Sequence, residues 1–140
     1  MSGLYEDVLL EHAKRPRNRG RLPHATHGGA ADNPLCGDAV HVELAVGDGT
    51  IGAVGFDGHA CAIVTASASL MTEHVRGKKP EEAHALLRRM EALCAGSSDE
   101  AAAAGAELGE LAVFAGVRRY PARVRCATLP WHALRLALAD

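Results

Sequence analysis

The sequence has no long hydrophobic run, no excess of either charge and no compact cysteine spacing. No apolar stretch approaches the roughly 18 residues that would suggest a membrane span. The amino terminus also lacks the hydrophobic core of a signal peptide, so the chain is expected in the cytoplasm with no membrane partner. Lys and Arg number 15 against 17 Asp and Glu, a formal net charge of −2. That balance argues against a general polyanion partner, nucleic acid included. Basic residues gather only in Lys14-Arg15-Pro16-Arg17-Asn18-Arg19-Gly20-Arg21, where a solvated turn after a helix accounts for them and an acidic protein surface is the alternative use. Four cysteines in a reducing compartment point to metal ligands or reactive thiols rather than disulfides.

What is present fits one domain over residues 1–140, long enough for a single hydrophobic core. Residues 4–13 predict a short helix with Ser2 as cap and Leu4, Val8 and Leu9 facing inward. Residues 16–34 are rich in Gly, Pro, Asn and His without periodicity, and read as an extended arm lying over the domain. Val40, Val42, Leu44 and Val46 then alternate with His41 and Glu43, a half-buried strand. Gly47-Asp48-Gly49 supplies a hairpin turn, and Thr50 to Phe56 returns as a second strand. Asp57-Gly58 permits another turn, with a short third strand through His59 and Ala60 to Cys61.

Helical patterns follow over residues 62–76, with Gly77 as stop, and from Pro80 onward, where Ala83, Leu86, Leu87, Met90, Leu93 and Cys94 share one face. Ser97 and Glu100 make a capping box for a helix over residues 99–107. Leu108, Leu111, Ala112 and Ala115 suggest one more, and a last segment opens at Pro121, to be kinked or divided by Pro130. The sum is an α+β fold, a small antiparallel three-stranded sheet covered by helices in a two-layer sandwich.

Asn33-Pro34-Leu35-Cys36-Gly37-Asp38 puts a thiol and a carboxylate two residues apart in a segment that cannot be helix interior. Cys61 and Cys126 fall where elements meet and could reach the same point. Three sulfurs and one oxygen make a tetrahedral site for zinc or iron. The oxygen ligand would leave the metal exchangeable, as a working site requires. Spacings of 25 and 65 residues match no zinc finger, so a lone buried cysteine remains the alternative for each. For Cys94, on an apolar face, that alternative is the reading. His41, His59 and His132 are further possible ligands, while a cysteine hydrolase lacks any nucleophile-and-base motif here.

Leu4-Tyr5-Glu6-Asp7-Val8-Leu9, Arg17-Asn18-Arg19-Gly20, the Asn33 to Asp38 stretch, and Ala62-Ile63 through Ala66-Ser67-Ala68-Ser69-Leu70-Met71-Thr72-Glu73 resemble the IscU/NifU-type iron–sulfur assembly family. Within it, the long stretch between Cys61 and Cys126 and the ending Arg125-Cys126-Ala127-Thr128-Leu129-Pro130-Trp131 look most like the SufU branch. The resemblance implies a SufE/NifU-like α+β fold and a metal site of Cys36, Asp38, Cys61 and Cys126. It implies zinc, with a transient iron–sulfur cluster as the alternative occupant. The implied partners are a pyridoxal-phosphate cysteine desulfurase of the SufS kind and downstream iron–sulfur assembly proteins. Cys36, in the most mobile setting of the three thiols, is the expected sulfur acceptor. Arg125 stands where IscU scaffolds carry a histidine, and an arginine cannot ligate a metal. Pro121-Ala122-Arg123-Val124 lacks the double proline by which a dedicated chaperone recognises those scaffolds, and Ala60 replaces the usual glycine before the cysteine.

Overall fold

Strand β2 (Asp38–Gly47) buries Val40, Val42 and Leu44 on one face and leaves His41 and Glu43 half-exposed on the other. This is the period of two expected where only one face of a sheet meets the core. The computed structural model describes residues 2–139, with side chains from residue 7 onward. The readings of Ser2 as cap and Leu4 as inward-facing concern side chains outside the described residues. β2 is the middle of a three-stranded antiparallel sheet, between β1 (His27–Asn33) and β3 (Thr50–His59). Asp48 and Gly49 take φ of 54° and 75° in the β2–β3 turn. Two consecutive left-handed residues suit the twist of a two-residue hairpin.

The third strand is not where the sequence placed it. β3 does not turn at Asp57-Gly58; it pairs Gly58 with Val40 and His59 with Ala39. A Cβ at Gly58 would stand 2.1 Å from the Ala39 carbonyl, so this glycine serves close strand approach and not a turn. The missing strand, β1, comes from the supposed arm. Its sequence, HGGAADN, has little β propensity. It is held by its ladder to β2 and by helix α5 (Pro121–Leu138), which comes so near that a Cβ at Gly29 would lie 2.3 Å from the Ala133 carbonyl.

Residues 15–26 do form an arm. Gly20 donates its amide to the Phe56 carbonyl (2.7 Å) and Phe56 donates to that of Asn18 (3.2 Å), which docks the arm on the outer edge of β3. Leu22 then lies over Gly55 on the solvent face, its amide donating to the Glu43 carboxylate (2.9 Å). Helix α2 (Ala62–Val75) anchors the arm from the other side. Ser69 Oγ accepts the Arg17 amide (2.8 Å) and bonds His12 of α1 (Ser2–Lys14) at 2.7 Å, while Asn18 Nδ2 donates to Thr72 Oγ1 (2.9 Å).

α1, α2 and α5, with α3 (Pro80–Ala95) and α4 (Ser98–Leu108), make the helical layer. Trp131, Phe114, Leu70, Met71, Leu87, Met90 and Leu93 are fully buried in its core. The α3 stripe, Cys94 included, falls as its spacing predicts. The capping box of α4 is formed, Ser97 Oγ accepting the Glu100 amide (3.1 Å) and Glu100 accepting that of Ser97 (2.8 Å). The next stretch, Gly109–Arg119, is a 3₁₀ helix and not an α-helix. Leu111, Phe114 and Val117 are buried at every third position, with Val113 beside them, and Ala115, expected inward, is exposed. α5 runs unbroken through Pro130. Among the described residues no helix is long and apolar enough to cross a membrane.

Candidate metal centre

Because β1 is a strand, Cys36 stands in the loop of a β-hairpin, with Asn33 paired to Asp38 at its base. The Asn33 carbonyl accepts the amides of Cys36 (3.2 Å) and Gly37 (2.9 Å), and its Oδ1 accepts that of Leu35 (3.2 Å). An asparagine folding the chain over itself in this way is the expected chemistry of a tight turn. Gly37 completes the reversal at φ 76°, with nothing within 4 Å of where a Cβ would sit. Cys36 is left exposed at the tip beside Leu35, which is 77% exposed.

Asp38 is the first residue of β2 and is buried. One carboxylate oxygen accepts the Cys36 thiol (Sγ to Oδ2, 3.1 Å) and the other accepts the backbone amide of Cys61 (3.1 Å). Cys61 is the N-cap of α2, reached as β3 ends at His59. Cys126 lies in the second turn of α5 and is half-buried. Among the described residues Cys36, Asp38 and Cys126 form the group whose ligand atoms all lie within 4.8 Å of one another. Cys61 is outside that tight trio and adjoins it, its thiol interacting with that of Cys126.

Burial pushes the Cys126 thiol up to about 12, and the charges of Cys61, Cys36 and Asp38, with a hydrogen bond to Cys61, push in the same direction. Four acidic groups converge there, and a cation would relieve their mutual repulsion. The donor set fits a tetrahedral ion. Zn–S bonds near 2.3 Å require sulfurs about 3.8 Å apart, and a trio closed within 4.8 Å needs adjustment on the order of 1 Å. His41, His59 and His132 are not in the group. His41 faces Arg21 on the solvent side of the sheet. His132 lines a depression of about 210 Å³ beside the centre, with Asp32, Asn33, Arg125, Thr128 and Leu129. Cys94 is buried in the core, and burial pushes its thiol up to about 12.

Sequence reasoning missed Ser67 and Trp131. Ser67 Oγ donates to the carbonyl of Ala127, next to Cys126, at 2.5 Å, and Trp131 Nε1 donates to Ser67 Oγ at 3.1 Å. The available signal was a hydroxyl in the most apolar stretch of α2, where a buried polar group must find a partner.

The NifU-like N-terminal domain family matches residues 4–127. The iron–sulfur cluster assembly scaffold protein IscU of Streptococcus pyogenes serotype M1 is 37% identical over 138 residues, covering 99% of this chain and 84% of the relative. The zinc-dependent sulfurtransferase SufU of Bacillus subtilis is 33% identical over 136 residues, covering 97% and 90%. The crystal structure of a candidate iron–sulfur cluster assembly scaffold for the SUF system, from Fervidobacterium islandicum, superposes with a TM-score of 0.83 at 30% identity over 94% of both chains. The chain belongs to the NifU-like N-terminal family, in company with IscU and SufU relatives matched along almost its whole length.

Proposed function

We propose that this chain is a single-domain, zinc-dependent sulfur acceptor of SUF-type iron–sulfur cluster assembly. Cys36, Asp38, Cys61 and Cys126 hold the metal, and Cys36 accepts persulfide sulfur from a pyridoxal-phosphate cysteine desulfurase of the SufS kind. The observation that carries this reading is the difference in anchoring. Cys36 and Cys61 are both exposed, but Cys36 stands at a hairpin tip, whereas Cys61 caps α2 and Cys126 is built into α5. The backbone that carries Cys36 can swing outward without moving a helix, whereas those of Cys61 and Cys126 are tied to α2 and α5.

In the transfer, the Cys36 thiolate attacks the outer sulfur of the desulfurase persulfide. A new S–S bond forms on Cys36, the enzyme's S–S bond breaks, and its cysteine leaves as thiolate, so no external oxidant or reductant is consumed. Asp38 accepts the Cys36 thiol (Sγ to Oδ2, 3.1 Å), which keeps its carboxylate against the reacting sulfur. Zinc, when bound, keeps the thiolates ionised. The persulfide then passes to downstream iron–sulfur assembly proteins.

A second reading uses the same ligands to build a [2Fe–2S] cluster as cargo, and the scaffold name of the streptococcal relative favours it. Metal analysis of the protein purified without added metal separates the two. About one zinc per colourless chain, with desulfurase stimulation abolished in Cys36→Ser, supports the sulfur acceptor. Iron with sulfide and visible absorbance supports the scaffold, and unchanged stimulation by Cys36→Ser removes Cys36 as acceptor.

A further inference from the structure

Cys126 occupies a part of α5 that lacks one of the helix's own hydrogen bonds. A helical carbonyl at position 126 accepts from the amide at 130, and Pro130 has no amide and crowds that carbonyl with its ring. Nearby, Thr128 Oγ1 donates back to the Val124 carbonyl (2.8 Å), a bond that bends helices. The turn carrying Cys126 is instead tied from outside, by the bond from Ser67 Oγ to the Ala127 carbonyl. Trp131 Nε1 occupies a lone pair of that hydroxyl, which turns its single proton toward Ala127. Ser67 and Trp131 are both fully buried. Ser67 belongs to α2, whose cap is Cys61, so its two bonds, to the Ala127 carbonyl and from Trp131 Nε1, link the two helices that carry Cys61 and Cys126.

We propose that Ser67, oriented by Trp131, is a positioning residue that sets the separation of Cys126 from Cys61. The inference rests on the reading of both as metal ligands, and extends it to the residue that closes the donor set. Ser69 provides an internal contrast. It is equally buried on the same helix, but its hydroxyl serves His12 and the Arg17 amide and not α5.

The test uses the full chain with cobalt(II) as probe, titrated against a chelator and followed by thiolate-to-cobalt absorption. Ser67→Ala is expected to weaken cobalt binding about tenfold and to alter the band, and Ser67→Thr, which keeps the hydroxyl, to restore both. Ser69→Ala is expected to lower the Tm while leaving affinity and band unchanged. Trp131→Phe removes the orienting donor and with it part of a fully buried ring, so its cobalt affinity and band are read at a temperature where it is folded; both should shift in the same direction by less, and it carries the test if Ser67→Ala does not fold. A metal-free arm measures disulfide formation between Cys61 and Cys126 in a Cys36→Ser background. Oxidised glutathione takes two electrons from the pair and is itself reduced to two thiols. Ser67→Ala is expected to slow this reaction severalfold. A chain that took up no cobalt would overturn the metal reading, while the disulfide arm would still decide the positioning. Identical behaviour of Ser67→Ala and Ser69→Ala in both arms overturns the proposal.

Discussion

The carboxylate of Asp38 accepts the backbone amide of Cys61 at 3.1 Å, so the hairpin that carries Cys36 is fastened to the first turn of α2. One side chain thereby fixes the angle between two ligand-bearing elements. Replacing it separates two roles. Asp38→Asn keeps an acceptor for the Cys61 amide and is expected to stay within about 1 kcal/mol of the parent in stability while binding zinc roughly 10- to 100-fold more weakly. Asp38→Ala removes the acceptor as well and should cost about 1–3 kcal/mol, since it leaves a part-buried amide unpaired. Denaturant melts and competitive zinc titration on both variants check the pair. Equal stability of the two would remove the fastening role.

Gly29→Ala tests what makes β1 a strand. The added methyl would meet α5 backbone at 2.3 and 2.5 Å, atoms that cannot yield as a flexible side chain can. A loss of about 1–3 kcal/mol is expected from overpacking. Gly47→Ala, with nothing within 4 Å of its Cβ position, should cost much less. The difference in Tm between the two variants is the measurement.

Acid should loosen the arm through His12. Burial holds its pKa below the usual 6.5, with Arg17 acting in the same direction against Glu110, Glu73 and Glu11. The unfolded chain then binds the extra proton first as pH falls. The contribution of His12 is therefore complete above about pH 6.5 and is lost progressively below it, toward the folded value. Tm should fall between pH 7 and 5, and His12→Gln should flatten that slope. A slope unchanged in His12→Gln would assign the acid sensitivity to other groups.

The cysteines should divide by reactivity. With its thiol pushed up to about 12, Cys94 is almost entirely protonated at pH 8, and it is buried as well. Iodoacetamide mass spectrometry on the metal-free native protein should show Cys36 and Cys61 labelled first, as both are exposed, and Cys94 labelled only after denaturation. Early labelling of Cys94 would mean that the core opens at the α3 face.

The helices were legible because each carries its own signal: Pro80 with Glu81 and Glu82 at the start of α3, the Ser97–Glu100 box before α4, and Gly77, which takes φ 90° after α2. β2 was legible from alternation alone. β1 was not, because its pairing is dictated by β2 and α5 and not by its own Gly- and Ala-rich residues, a case of tertiary context overriding propensity. The same blindness misplaced the sheet's third strand and turned Gly58 into a false turn signal. The residues of the candidate centre stood out by type and by resemblance to a family, whereas Ser67 did not. A buried serine has no periodic signature, and its role depends on which carbonyl it finds.

The arm at Asn18–Gly20 has a consequence for solubility. β3 is an outer strand of the sheet, and an outer strand with free amides and carbonyls is a template on which another molecule's strand can assemble. Phe56 gives both its amide and its carbonyl to the arm, and Arg19 lies over its ring. At Phe56 the border of the sheet is thus occupied by a short, charged, kinked segment of the same chain. Truncation or acid release of that segment would expose this border, so the first visible sign of a detached arm would be self-association through β3, ahead of any loss of secondary structure.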